Sequence, residues 1–317
     1  SGGNITINGT SSKDGQSSIK VNNASFSADK GNISFNAEGK GVIVSYYEKS
    51  AALELRGDNL FSAKEIYLNA KNVSNHSGYG NNPYAILIGP NATLRFSGNA
   101  TVNATSEYGG GILFDGSSPE GASIYSQNGY LNINATSGKH AVKDEQMNTG
   151  AIALESSYYN ENVHFILNNS SLGINAKSES LDKDVGAFAG YGVGTANFVN
   201  KFIFQGNGDV NITGTSINNT GITSRAFDNT KLNGQFLLHG ISTNGNGIEM
   251  SGAALDVGLS GAIINGESEN GYGVVINGTS SSGNQVNLND NVITGTSNTG
   301  TGIGINGNNV TITNGTL

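Results

Sequence analysis

Apolar and polar residues alternate with a period of two in short runs along the whole chain, and the runs share one form. Ile5-Thr6-Ile7-Asn8-Gly9-Thr10 shows it: an alternating stretch, then Asn or Thr, then a small residue, then usually Thr, Lys or Glu. The same form returns at Ile33–Glu38, Ile66–Lys71, Ala100–Thr105, Leu131–Thr136, Leu172–Lys177, Val210–Thr215, Phe236–Gly240, Ile263–Glu267 and Val292–Thr296. Alternation over four to six residues is the mark of a strand with one buried face. The small residues stand at 9, 37, 70, 104, 135, 176, 214, 240, 266 and 295, separated by 28, 33, 34, 31, 41, 38, 26, 26 and 29 positions. A last copy, Val310–Gly315, follows about 20 positions later.

A second pattern follows most copies: Gly, a small residue, then an apolar run ending in Gly. Gly271-Tyr272-Gly273-Val274-Val275-Ile276-Asn277-Gly278 matches Gly300-Thr301-Gly302-Ile303-Gly304-Ile305-Asn306-Gly307, and Gly109–Gly116 and Gly245–Gly252 read alike. No segment has sustained helical periodicity with caps. A strand–turn unit of this length cannot bury its apolar face alone, but it can when stacked on its neighbours. The pattern therefore predicts an all-β chain, a right-handed parallel β-helix of roughly ten coils, about 50 Å long at one rung per ~4.8 Å. Asn at equivalent turn positions is expected to form side-chain ladders between rungs. A β-sandwich, with strands every 8–12 residues and no shared motif, fits the variable interval poorly; so does a propeller. The longest intervals hold the least strand-like sequence, predicting loop insertions near 138–148 and 182–200 of a single 1–317 unit. Strand-like sequence begins almost at once and runs to Leu317, which reads as a segment of something longer.

Composition narrows the function. Charged residues make up 13%, about half the usual share, with 47 Gly and 3 Pro. The β-branched apolar runs set the chain apart from disordered sequences. Net charge is −8 and no Lys/Arg cluster is visible, so nucleic acid and anionic membrane surfaces are poor partners. There is no cysteine, which removes disulfides, thiolate metal sites and cysteine nucleophiles. No apolar stretch is long enough for a membrane-spanning helix, and the N-terminus has no basic-then-apolar signal sequence.

Parallel β-helices also host polysaccharide lyases and glycoside hydrolases, which need convergent carboxylates or a Ca²⁺ site beside a basic residue. Here the closest acidic groups, Asp144-Glu145 and Asp182-Lys183-Asp184, read as solvated loop charges. His76, His140, His164 and His239 lack ligand spacing, and Gly109-Gly110-Gly111 is followed by neither Lys-Ser/Thr nor a helix. No catalytic residue, metal site or cofactor is predicted. Tyr79, Tyr84, Tyr158, Tyr159, Phe188 and Tyr191, with Tyr46-Tyr47, are the candidate exposed platforms for sugar rings or a protein partner. Asn-x-Ser/Thr acceptors are dense; Asn8, Asn103, Asn134, Asn211 and Asn314 fall at the motif, where a turn would expose them, and Asn277 is a further candidate glycosylation site.

Copies such as Val210-Asn211-Ile212-Thr213-Gly214-Thr215 and Val310-Thr311-Ile312-Thr313-Asn314-Gly315 give the whole chain a repeat style that resembles the large exoproteins of bacterial two-partner secretion. These are the filamentous-haemagglutinin-like and high-molecular-weight adhesins. The resemblance implies an extracellular, non-catalytic adhesin at the bacterial surface. It implies passage through an outer-membrane transporter barrel, attachment to host cell-surface or matrix glycans or proteins, and in some members glycosylation at Asn-x-Ser/Thr. A spacer portion of an autotransporter passenger predicts the same fold.

Overall fold

The period-two runs become strands because Ile, Val, Leu and Phe alternate with polar residues, so one face of each run can leave water. In a computed structural model, residues 3–42, 49–75, 83–115, 121–141, 150–154, 162–182, 185–190, 201–224, 227–252, 255–278, 285–307 and 309–317 are described. Every strand pairing among them is parallel and joins one coil to the next. One sheet of fifteen strands starts with Ile5–Thr10, Ser25–Gly39, Asp58–Asn72, Thr93–Ser106, Ala122–Ser137 and Asn162–Ser178. Beyond Lys201 each long strand is replaced by two shorter ones, such as Lys201–Asn207 and Val210–Ser216. A second sheet stacks ten short strands, from Ile19–Asn22 to Ile303–Asn306. Residues from both sheets share one apolar core. The chain is a parallel β-helix.

The larger sheet bends into two faces. The residues at the bend that adopt left-handed backbone include Gly98, Asn128, Asn169 and Gly206, and, further along, Asp290. Glycine and asparagine tolerate that conformation best. The face after the bend carries the sequence motif, and its register follows the motif rung for rung. Ile7, Phe35, Leu68, Val102, Ile133, Ile174, Ile212, Leu238, Ile264 and Ile293 form one continuous interior column. The small residues Gly9, Ala37, Ala70, Ala104, Ala135, Ala176, Gly214, Gly240, Gly266 and Gly295 form a second column two positions on. The apolar run of the second sequence pattern lies in the other sheet, where Ile248, Val274 and Ile303 stack.

Two expectations need correction. Val310–Thr313 is not an eleventh copy on the motif face: it pairs with Gln285–Asn289, before the bend, and Thr316 bridges to Val292 instead. Its alternation is genuine, but alternation alone does not say which face a strand joins. Within 182–200, Gly186–Gly190 is a strand of the second sheet between Gly150–Leu154 and Ile222–Ser224, not loop. Residues 183–184 and 191–200, like 142–148 of the other expected insertion, lie outside the described residues.

Two residues past the small column runs a serine column, buried at Ser106, Ser137, Ser178, Ser216, Ser242 and Ser268 and half-buried at its end, Ser297. These hydroxyls tie down the turn that leaves the motif face. Ser242 Oγ donates to the Asn219 carbonyl at 2.6 Å and accepts from the Gly245 N–H at 2.8 Å; Ser268 and Ser297 repeat the arrangement with Gly245 and Gly271 carbonyls. Ser242→Ala is expected to cost about 1–3 kcal/mol, because it removes two hydrogen bonds that hold a half-buried turn. Loss of amide protection at Gly245, read by hydrogen exchange, checks it; unchanged protection would remove the serines from the account.

Candidate functional site

Outward-facing positions of the motif face form the most ordered polar array among the described residues. Because side chains alternate, the residue just before each small residue points away from the core. There Asn8, Asn36, Asn69, Asn103, Asn134 and Asn175 lie in register, and each amide nitrogen from Asn36 onward donates to the amide oxygen of the rung before. The five bonds measure 2.8, 2.9, 2.8, 2.9 and 3.0 Å. The expected ladder exists, but it stands in strands rather than at turns. A second, shorter ladder does sit at a turn: Asn270 to Asn244 at 2.9 Å and Asn244 to Asn218 at 2.8 Å. The first ladder ends where Thr213 pairs with Asn175.

The small column beneath shapes the surface above it. Gly9, Ala37 and Ala70 line, together with the ladder residues Asn8, Asn36, Asn69 and Asn103, an outer groove of about 440 Å³. Thr10, Glu38, Lys71 and Thr105 form its other wall. Glu38 and Lys71 approach to 3.9 Å with both side chains largely exposed, so their attraction adds little to stability, but their charges cancel. Tyr67, two residues before Asn69 and therefore on the same side of the strand, is 36% exposed. Nearby, Tyr130 donates to Glu65 at 3.4 Å and Asn99 donates to the other oxygen of that carboxylate at 3.0 Å. Partial burial and then the Glu65 charge raise the Tyr130 phenol above its ordinary pKa, keeping it a neutral donor.

The aromatic residues expected from sequence fall elsewhere. Tyr84 and Phe188 are corrected from exposed platforms to core: both have 0% exposure. Tyr84 sits in a strand buried on both faces and packs with Ala51, Leu87, Leu113 and Ala153. Phe188 packs its ring 5.0 Å from Phe202 and 5.7 Å from Phe227. Tyr46, Tyr47, Tyr79, Tyr158, Tyr159 and Tyr191 lie outside the described residues. Tyr67 stands between the inward Ile66 and Leu68, so the alternation of its own motif copy is the signal that marks it as outward-facing.

The Asn-x-Ser/Thr acceptors divide by environment. Asn8, Asn103 and Asn134 stand in strands with their amides in the ladder, not in turns as expected. Asn211 and Asn277 are exposed on strands, and Asn314 is exposed in a left-handed turn. A sugar on Asn103 or Asn134 would sit on the nitrogen that donates to the rung before. Glycopeptide mapping of natively produced protein is therefore expected to place any glycan at Asn314, Asn277 or Asn211 before the ladder positions.

Buried carboxylates are matched with cations instead of converging on one another. Glu54, 2% exposed, lies 3.2 Å from Lys20 and 3.3 Å from Arg56 and accepts from Ser17. Asp115 pairs with Lys49 at 2.7 Å with both side chains buried. Among the described residues no group of three or more His, Asp or Glu side chains is placed to hold a metal ion. What the laddered groove offers is hydrogen bonding, with the exposed Tyr67 beside it.

His164 is separate from the groove, on the outer side of its strand between Ser123 and Ile203. Burial, and then the positive charge of Lys231, lower its pKa. The sign follows: on acidification the unfolded chain protonates this histidine first, so its folded-state contribution is intact above the ordinary histidine range. It is lost as pH falls through that range toward the lowered folded value. Urea midpoints of the native chain are expected to drop between pH 8 and pH 5 by more than those of His164→Gln; parallel curves would remove the effect.

Comparison of the chain with protein-family models, with curated proteins and with solved structures finds no match in any of the three, and the reading of the site rests on its own geometry.

Proposed function

We propose that the chain is a segment of an extracellular bacterial adhesin of the filamentous-haemagglutinin-like type, binding host or matrix surfaces without catalysis. The observation that carries this reading is the unbroken motif column over ten rungs, with its polar ladder outside. A rod built this way holds a long outer surface in fixed register, so weak contacts repeat along it and add. The same construction suits export through an outer-membrane barrel. Each coil contacts only its neighbours, so folding can begin locally and spread once the chain emerges.

The test is binding of the isolated 317-residue chain to host cells, matrix proteins and a glycan array, beside a turnover screen on pectin, alginate and dextran. Saturable attachment without polymer cleavage is expected. Cleavage, or the absence of attachment to every surface, overturns the adhesin reading.

A further inference from the structure

The geometry points to the laddered groove as an array of subsites for an extended, uncharged polysaccharide lying parallel to the rod axis, about one sugar to a rung. This rests on the adhesin reading and names the chemistry of its contact surface. The first support is hydrogen-bonding capacity. An asparagine amide has two N–H donors and two acceptor lone pairs, and the ladder uses one of each at Asn36, Asn69, Asn103 and Asn134. At Asn69, Asn103 and Asn134 the remaining donor and acceptor form a row that repeats at the strand spacing of ~4.8 Å, while at Asn36 the second lone pair is taken by Ser34 Oγ at 3.5 Å and only a donor is left. Neighbouring amides hold each other in place, so little side-chain freedom is lost on binding. Paired hydroxyls of a sugar ring match a paired donor and acceptor, and an extended β-linked chain advances by close to one rung per sugar.

The second support is independent: the exposed ring of Tyr67 stands beside the row, on the same side of the strand as Asn69. An aromatic face next to amides suits the apolar side of a pyranose. Charge selects within the glycans. Glu38 and Lys71 lie together on the far wall and cancel, and Thr10 and Thr105 flank them. A polyanion would call for a basic row here. An extended peptide fits less well, because the groove crosses the strands and their backbone groups are already paired rung to rung.

The length of the array is bounded by the sequence. The ladder starts at Asn8 and stops at Asn175, followed by Thr213, which spans six rungs. Affinity is therefore expected to climb with chain length and level off at roughly four to six sugars.

Titration calorimetry of the whole 317-residue chain tests this with β-1,4-linked glucose and N-acetylglucosamine oligomers of two to eight units. Maltohexaose, which curves, and oligogalacturonate, which is charged, serve as comparators. The expected result is length-dependent binding of one extended neutral series, weakened tenfold or more by Tyr67→Ala and by Asn69→Ala. Asn265→Ala, beyond the end of the ladder, should bind as the parent does. A circular dichroism spectrum and melting curve matching the parent's establish that each variant is folded; Tyr67→Phe, which keeps the ring, should retain binding if a ladder variant does not fold. Equal binding of maltohexaose, preference for oligogalacturonate, or no effect of Tyr67→Ala overturns the inference. If the chain attaches to cells but binds no oligomer, and Tyr67→Ala attaches equally, the glycan groove fails while the adhesin reading stands. Tyr67-dependent capture of a peptide would reassign the groove and overturn the glycan assignment. Failure to attach to any surface is instead the failure of the adhesin reading.

Discussion

Phe204→Ala is expected to remove about 3–5 kcal/mol from the stability of the coils around it. Phe204 has no exposure, and three other rings surround it: Phe165 at 5.4 Å and nearly parallel, Phe236 at 5.0 Å and Phe227 at 6.1 Å. Truncation deletes both the buried area and these ring contacts, and the neighbours cannot close the gap freely. Phe165 and Phe236 are each held by their own strand pairings, Phe165 opposite Ile124 and Phe236 opposite Val210. Phe204→Leu, which keeps most of the volume, should cost about 1.5 kcal/mol or less if the rings repack. In a stacked rod the damage is local, since each coil couples chiefly to its neighbours. Hydrogen exchange should therefore show lost protection from the Asn162–Ser178 strand through Phe236–Ser242, with Ile5–Thr10 and Ser25–Gly39 little changed. Loss spread evenly over the chain, or a cost under about 1 kcal/mol, would mean the aromatic cluster is not a local keystone.

How much of this was legible in sequence depends on whether a position repeats its chemistry. The motif column and the small column were readable because every coil keeps the same residue class at the same offset. The second sheet was readable where Gly-x-Gly precedes an apolar run. The face before the bend was not, because its inward residues change character from coil to coil: Phe26, Phe61 and Phe96 stack in register, and Ser126 follows in the same column. The buried serines escaped notice although most copies carry Ser two residues after the small one, since Ser is common enough in this chain to look like solvent-facing sequence. The strand Gly186–Gly190 looked like loop because Gly and Ala surround its single aromatic residue. The outer groove could not be seen in advance: it depends on how Asn8, Asn36, Asn69 and Asn103 and the facing wall of Thr10, Glu38, Lys71 and Thr105 line up across rungs, which is a property of register.

The two glycine patterns noticed in sequence meet inside the molecule, and this gives a second large effect: Gly266→Ala is expected to cost roughly 3 kcal/mol or more, at the upper end of overpacking. A methyl group at Gly266 would stand 2.0 Å from the Gly273 carbonyl oxygen and 2.5 Å from its carbon, and these are backbone atoms that cannot rotate away. The neighbouring rungs repeat the contact, Gly240 against Gly247 at 2.1 Å and Gly295 against Gly302 at 2.1 Å. In each case the motif glycine faces the second glycine of the Gly-x-Gly that follows it, so the two patterns occur in fixed order because they must touch. Gly214 repeats the contact against Gly221 at 2.2 Å, and at the other end of the column a methyl on Gly9 would stand 2.7 Å from the Ser18 carbonyl oxygen. The coils between carry Ala37, Ala70, Ala104, Ala135 and Ala176 at the same place. The reverse change should be mild: Ala135→Gly loses one buried methyl and some backbone restriction, about 1–2 kcal/mol. Chemical denaturation of both variants, with exchange at Gly273 and Val274 as the local readout, checks the asymmetry. Equal costs for the two changes would show that the facing backbones can separate, and that the glycines answer to something other than this contact.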